Sequence, residues 1–232
     1  MHHIKVVLWD IDGTLLDFHK AEAAAIHALF HRFGLGTCTQ EMLADYSAIN
    51  TSYWKKLETG EMTKPQILIR RFEEFFGKYG LDVSRAAAFN QAYQLALGDT
   101  ICFFPGALET VQKLKGKVLQ CAVTNGTLTA QNKKLALSGL DRIFDHLFIS
   151  DQLGIEKPNI GFFDAVWDTI GTYSPEEVLI VGDSLTSDIR GGNNAGILTC
   201  WFNPASLPCP SDLRIDYNIK EIPGVLDICG ID

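Results

Sequence analysis

The chain has 232 residues, 47% of them hydrophobic and 21% charged, a composition that fits a folded globular protein and excludes disorder, collagen-like repeats and coiled coil. Its 20 lysines and arginines stand against 28 aspartates and glutamates, a formal charge of −8 that disfavours a nucleic-acid polymer but not a small phosphorylated metabolite. No apolar run reaches the roughly 20 residues of a membrane span, and the six cysteines are scattered without a Cys-x-x-Cys pair, as in a reduced, cytoplasmic protein.

In chain order, His2 and His3 read as a ragged start without signal-peptide anatomy, leading straight into Val6-Val7-Leu8-Trp9. Residues 4–10, 118–124, 146–150, 178–183 and 198–202 are nearly continuous in apolar and β-branched residues, which predicts parallel strands covered on both faces. After the first strand, helical periodicity marks residues 21–33, 40–58, 64–79 and 84–97, with Thr39 and Thr63 as N-caps and Gly34, Gly60 and Gly80 as stops. Phe72, Phe75, Phe76 and Tyr79 fit one apolar face. From residue 105 onward, strands alternate with helices at 105–115, 128–138, 159–170 and 187–195. The pattern predicts an α/β protein with a Rossmann-like open parallel sheet and an inserted all-helical cap. The core would comprise residues 1–17 and 99–232, and the cap residues 18–98. Gly13 and the connections 16–20 and 98–104 are hinge candidates by position.

Asp10-Ile11-Asp12-Gly13-Thr14-Leu15-Leu16-Asp17 directly follows the first strand. A turn at Gly13 brings two carboxylates to the strand's carboxyl end, where open α/β sheets bind ligands. Carboxylates this close repel, and a divalent cation with oxygen ligands such as Mg²⁺ relieves the repulsion. A calcium loop of the EF-hand kind does not fit, since glycine stands at position four and Ala21 at position twelve. Thr124-Asn125-Gly126 closes the second strand with a hydroxyl and turn amides suited to an anion. Lys157 precedes a helix. Gly182-Asp183-Ser184-Leu185-Thr186-Ser187-Asp188 puts another carboxylate at a strand end, with Asp188 either stabilising the helix dipole or supporting the site.

These motifs, in this order, resemble the haloacid dehalogenase superfamily of aspartyl-phosphate phosphatases with a C1-type helical cap. The resemblance implies that Asp10 is the nucleophile and that Asp12 protonates the departing alkoxide and later activates water. It implies Mg²⁺ on the Asp10 carboxylate, the Asp12 backbone carbonyl and the Asp183 carboxylate. Thr124, Asn125, Gly126 and Lys157 would hold the phosphate. Asp12 separates this chain from carbon–halogen and phosphonate cleavage, whose branches lack that aspartate. The runs 45–54 and 60–63, with 182–196 and 199–201, resemble the bacterial house-cleaning pyrimidine 5′-nucleotidases and imply nucleoside monophosphates as substrates. Tyr53 and Trp54 either stack on a base or pack the helices. A sugar-phosphate or phosphoglycolate phosphatase, a phosphomutase and a non-catalytic binding protein are the alternatives on the same scaffold. His19, His27 and His31 share one helical segment without an acidic partner in the pattern and read as surface residues.

Overall fold

The computed structural model describes residues 3–171 and 173–231, so the reading of His2 lies outside them. Six strands form one sheet: β1 (Val6–Trp9), β2 (Leu119–Thr124), β3 (His146–Ile149), β4 (Val178–Gly182), β5 (Leu198–Phe202) and β6 (Tyr217–Ile219). Their order is β3-β2-β1-β4-β5-β6, and every ladder is parallel. The five predicted strands are present. The sixth was missed because Tyr217–Ile219 is a three-residue edge strand, half-exposed and without an apolar run.

β1 lies between β2 and β4 and is wholly buried, and its alternation sorts the two layers. Val6 and Leu8 join a cluster with Phe162, Phe163 and Val166 of the helix Ile160–Ile170. Val7 and Trp9 join another with Val111 and Leu114 of the helix Ala107–Leu114 and Val225 of the helix Gly224–Cys229. Each such side chain contributes about 1.5–3 kcal/mol on full burial. The polar edge of Trp9 is satisfied: its indole donates to Gln120 at 3.0 Å, and Gln120 donates to the Val111 carbonyl at 2.9 Å.

Between β1 and β2 run four helices that leave the sheet, α1 (Phe18–Phe33), α2 (Gln40–Glu58), α3 (Lys64–Lys78) and α4 (Ala86–Ala96), and then α5 (Ala107–Leu114), which returns to it. Their ends follow the expected chemistry. Asp17 caps α1, Gly34 closes it in the left-handed region, and the Thr39 hydroxyl accepts the Met42 amide at 3.2 Å. Phe30, Tyr46, Phe72, Phe75, Phe76, Phe89 and Tyr93 form this unit's own core, separate from the two sheet layers. The two connections to the sheet lie side by side: Asp17 donates to the Cys102 carbonyl at 2.8 Å, and Phe104 to that of Leu15 at 3.0 Å. No helix among the described residues is long and apolar enough to cross a membrane.

One predicted α-helix differs. Residues 187–195 were expected as a single α-helix; the chain instead forms a π-helical turn, Leu185–Ile189, followed by a short helix, Arg190–Asn194. The Ser184 carbonyl accepts amides from both Asp188 (3.0 Å) and Ile189 (3.1 Å), which widens the turn. That widening accompanies the burial of Asp188.

Candidate active site

Parallel strands end at one edge, so the residues following β1 and β4 and the last residue of β2 come together there. The Asp10 amide donates to the Val181 carbonyl at 2.9 Å, which fixes Asp10 beside β4. The chain then turns tightly, with Leu15 and Leu16 donating to the Ile11 carbonyl and Gly13 to that of Leu16. Gly13 has φ +95°, and a Cβ there would lie 2.7 Å from Asp183 Oδ2. The adjacent Thr14 hydroxyl donates to Asp183 Oδ1 at 3.1 Å and accepts the Asp183 amide at 3.0 Å. The first motif therefore carries its own carboxylates and also seats one from a distant strand.

Lys157 is fully buried and has three acceptors: Asp10 Oδ1 at 2.9 Å, Asp188 Oδ1 at 2.6 Å and the Val123 carbonyl at 2.6 Å. The Asn125 side chain brackets its backbone, accepting the Lys157 amide at 2.9 Å and donating to its carbonyl at 2.8 Å. The second Asp188 oxygen accepts the Ser184 amide at 3.1 Å. Asp188 thus anchors the lysine, which goes beyond stabilising a helix dipole. Asp12, exposed enough to meet a ligand, receives Gln131 Nε2 at 2.6 Å and Lys134 Nζ at 2.5 Å from the helix α6 (Leu128–Ser138). Thr124 is buried at the end of β2, and its hydroxyl accepts the Gly126 amide at 3.1 Å.

Oxygens of Asp10, Asp183 and Asp188 lie within 4.8 Å of one another. Burial raises the Asp10 carboxyl well above its ordinary value; Lys157 opposes the rise, and Asp188 and Asp183 add to it. Asp183 reaches solvent on one side, but the protein around it and then the charge of Asp188 push it up to about 7. Burial alone would lower the Lys157 ammonium, yet Asp10 and Asp188 hold it above the usual range. Three carboxylates facing one ammonium, all with oxygen donors, fit a hard divalent cation. Asp10 and Asp183 have oxygens for it, whereas both Asp188 oxygens already have donors.

The site differs from the sequence expectation at one residue and takes one of the two open alternatives at another pair. The Gly126 amide, expected on phosphate, is bonded to Thr124, because the turn folds back on its own strand end. Tyr53 and Trp54 are packing residues: Tyr53 is buried with Leu57 and Ile67, Trp54 packs on the same cluster, and the Tyr53 hydroxyl donates to Glu74 at 2.9 Å. The helical period turns that side of α2 away from a groove of about 660 Å³ lined by His19, Ser47, Thr51, Ser52, Lys55 and Thr59.

The sequence reading also missed Thr14, Gln131, Lys134 and Glu58. Thr14 lies inside the first motif, and Gln131 and Lys134 are three apart on a predicted helix, but nothing local marks them as facing Asp12. Glu58, the last residue of α2, reaches the Thr186 hydroxyl, and burial raises its carboxyl. Lys64, the first residue of α3, donates to Ser150 at 2.6 Å and pairs with Glu156 at 3.2 Å. The helical insertion therefore touches the sheet unit on two sides of the acidic edge. His19 is on the groove wall; its imidazole is raised chiefly by Glu22, with Asp183 adding a smaller push in the same direction.

Fold and acidic edge together define an open parallel α/β protein with a carboxylate-rich, cation-demanding centre next to an inserted helical unit. The chain belongs to the haloacid dehalogenase-like hydrolase family, whose model matches residues 4–196. It is 34% identical to YfnB of Bacillus subtilis over its whole length and 98% of that protein. The magnesium-bound crystal structure of YfnB, which reveals interdomain movement, superposes with a TM-score of 0.93 over 99% of this chain and all of that one. Two further relatives are the pyrimidine 5′-nucleotidases PynA of Streptococcus pneumoniae and YjjG of Escherichia coli. They are 35% and 32% identical, over 96% and 93% of this chain and 94% and 93% of their own lengths.

Proposed function

We propose that this chain is a cytoplasmic, Mg²⁺-dependent phosphomonoesterase acting on nucleoside monophosphates, pyrimidine nucleotides first, through an aspartyl-phosphate on Asp10. The observation that carries the reading is Asp10 at a strand end, bonded to buried Lys157 and crowded by Asp183, with Asp12 from the same turn held separately by α6. Residues 18–98 serve as the cap and residues 1–17 with 99–232 as the core. All six cysteines are free thiols, in keeping with a reducing compartment.

The Asp10 carboxylate attacks phosphorus in line, forming an Oδ–P bond as the ester P–O bond breaks. Asp12 gives its proton to the leaving oxygen, then takes one from the water that hydrolyses the acyl phosphate. The Thr124 hydroxyl and the Asn125 amide hold phosphoryl oxygens, and Lys157 offsets the charge shared by Asp10 and phosphate. Asp188 fixes the lysine. Bound at the Asp10 and Asp183 carboxylates and the Asp12 carbonyl, Mg²⁺ supplies charge neutralisation between two anions. The groove along α2 takes the leaving group. The Ser47, Thr51 and Thr59 hydroxyls on its wall suit a sugar and its larger apolar surface a heterocycle, and the two named nucleotidases among the relatives support that substrate class.

Phosphate release from UMP, dUMP, dTMP, ribose 5-phosphate, phosphoglycolate and p-nitrophenyl phosphate, with and without Mg²⁺, tests the reading. Mg²⁺-dependent turnover led by the pyrimidine nucleotides is expected, and Asp10→Asn abolishes turnover while nucleotide binding persists. A folded wild-type chain idle on every ester, or an unimpaired Asp10→Asn variant, refutes it.

A further inference from the structure

We infer that Gln131 and Lys134 are positioning residues for Asp12: together they hold its carboxyl group where it serves the leaving oxygen. The inference deepens the phosphomonoesterase reading and rests on it. Asp12 is the part of the first motif that the strand does not hold. Its two oxygens are divided between two donors from one helix, Gln131 Nε2 at 2.6 Å on Oδ2 and Lys134 Nζ at 2.5 Å on Oδ1. The donors stand three residues apart on α6, so both project from one helical face.

Both residues are buried on the side of α6 that faces Asp12. Lys134 is 1% exposed, and a lysine is almost never buried to that degree without a charged partner. Asp12 is that partner, and the ammonium also lies 5.2 Å from the centre of the Phe18 ring, the first residue of the helical insertion. Gln131 is equally buried, and its Oε1 has no hydrogen-bond partner. A glutamine kept for packing or fold would have both ends of its amide satisfied; this one has a single bond, to Asp12. The backbone makes room for it as well. A Cβ at residue 126 would lie 2.2 Å from Gln131 Nε2, so the glycine of Thr124-Asn125-Gly126 is what lets the amide pass across to Asp12. Gly126 thus serves the leaving-group side of the reaction, whereas the sequence had placed it on the phosphate side.

In the first half-reaction the P–O ester bond breaks, the Asp12 proton moves to the departing oxygen, and Asp12 is left as a carboxylate. Only leaving groups that are poor as anions depend on that transfer. A ribose or alkyl alkoxide needs the proton, and p-nitrophenolate leaves without it. Loss of a purely structural residue would lower both reactions alike. Loss of a positioning residue for the acid lowers the first and spares the second.

The test is kcat/KM for UMP and for p-nitrophenyl phosphate, which reports events up to aspartyl-phosphate formation. It is measured with Mg²⁺ on wild type, Gln131→Met, Lys134→Met and Lys134→Arg, each with its melting temperature. General acid catalysis contributes ~10²–10⁴-fold, so partial misplacement should lower kcat/KM for UMP by about 10-fold or more in Gln131→Met, with less than about a 3-fold change for p-nitrophenyl phosphate. Lys134→Met should show the same split, and Lys134→Arg should restore UMP turnover in part. In an Asp12→Ala background, Gln131→Met should add nothing further. An equal fall on both esters in a folded Gln131→Met variant overturns the inference, as does unchanged or improved UMP turnover. If Lys134→Met does not fold, Gln131→Met decides alone. A wild-type chain idle on both esters removes the phosphomonoesterase reading itself, a different result from turnover without the split.

Discussion

Lys157 shows how far one buried cation organises the site. Its three short bonds tie β1, β2 and the turn after β4 to a single nitrogen. Removing it leaves the Asp188 carboxylate buried and unpaired. Lys157→Met should lower kcat by about 10²–10³-fold, the range for loss of one preorganised charge donor. It should also cost roughly 3–5 kcal/mol of stability, the price of stranding a buried charge, and urea unfolding alongside a turnover assay measures both. Gly13 makes a second, narrower case, since a methyl group there collides with the carboxylate of Asp183. Gly13→Ala should weaken Mg²⁺ binding at least about 10-fold by calorimetric titration, because a misplaced ligand loses direct coordination. At this scale the sequence was informative where a carboxylate directly follows a strand legible from its apolar run, as for Asp10, Asp12 and Asp183. It was silent on Thr14, Gln131 and Lys134, whose partners lie 169, 119 and 122 positions away.

At the scale of elements, local rules placed helices and strands well because caps, periods and glycine stops agree with one another. α2 begins after Thr39 and ends before Gly60, and β5 spans the residues its apolar run marks. The rules failed where tertiary demand overrides propensity. The turn Leu185–Ile189 is widened while Asp188 reaches Lys157, and β6, without an apolar run of its own, pairs along the edge of β5. The aromatic face of α3 reads correctly, and it has an energetic consequence. Phe72 stacks on Tyr46 and meets Phe76, Phe89 and Tyr93 edge-on. Phe72→Ala should cost about 3–5 kcal/mol. Since that cluster is separate from those on the sheet, amides of α1–α4 should lose hydrogen-exchange protection first, with β1, β2 and β4 still protected.

For the whole molecule, the acidic edge couples cation binding to pH and stability. Burial and the charge of Asp188 raise Asp183 from its ordinary 3.8 to about 7. Between those values the folded chain holds a proton that the unfolded chain has released, so the folded state loses stability as pH rises through that window. A cation that needs the carboxylate ionised must displace the proton at low pH and need not at high pH. Mg²⁺ should therefore raise the melting temperature more at pH 8 than at pH 6, and its apparent affinity should fall as pH drops below about 7. A thermal melt at fixed Mg²⁺ across that range reads both, and an equal shift at the two pH values contradicts the coupling.

The order of strands and helices, the four-helix insertion and the chemistry-bearing types at 10, 12, 124, 157 and 183 were all present in the linear sequence, because hydrophobic period, caps and turn residues are short-range properties. Which residues support that chemistry was decided only by the tertiary structure. The pairing of Lys157 with Asp188, the seat of Asp183 on Thr14, the hold of α6 on Asp12 and the choice of which face of α2 meets the groove all depend on distances between elements far apart in the chain, and no local pattern encodes those distances.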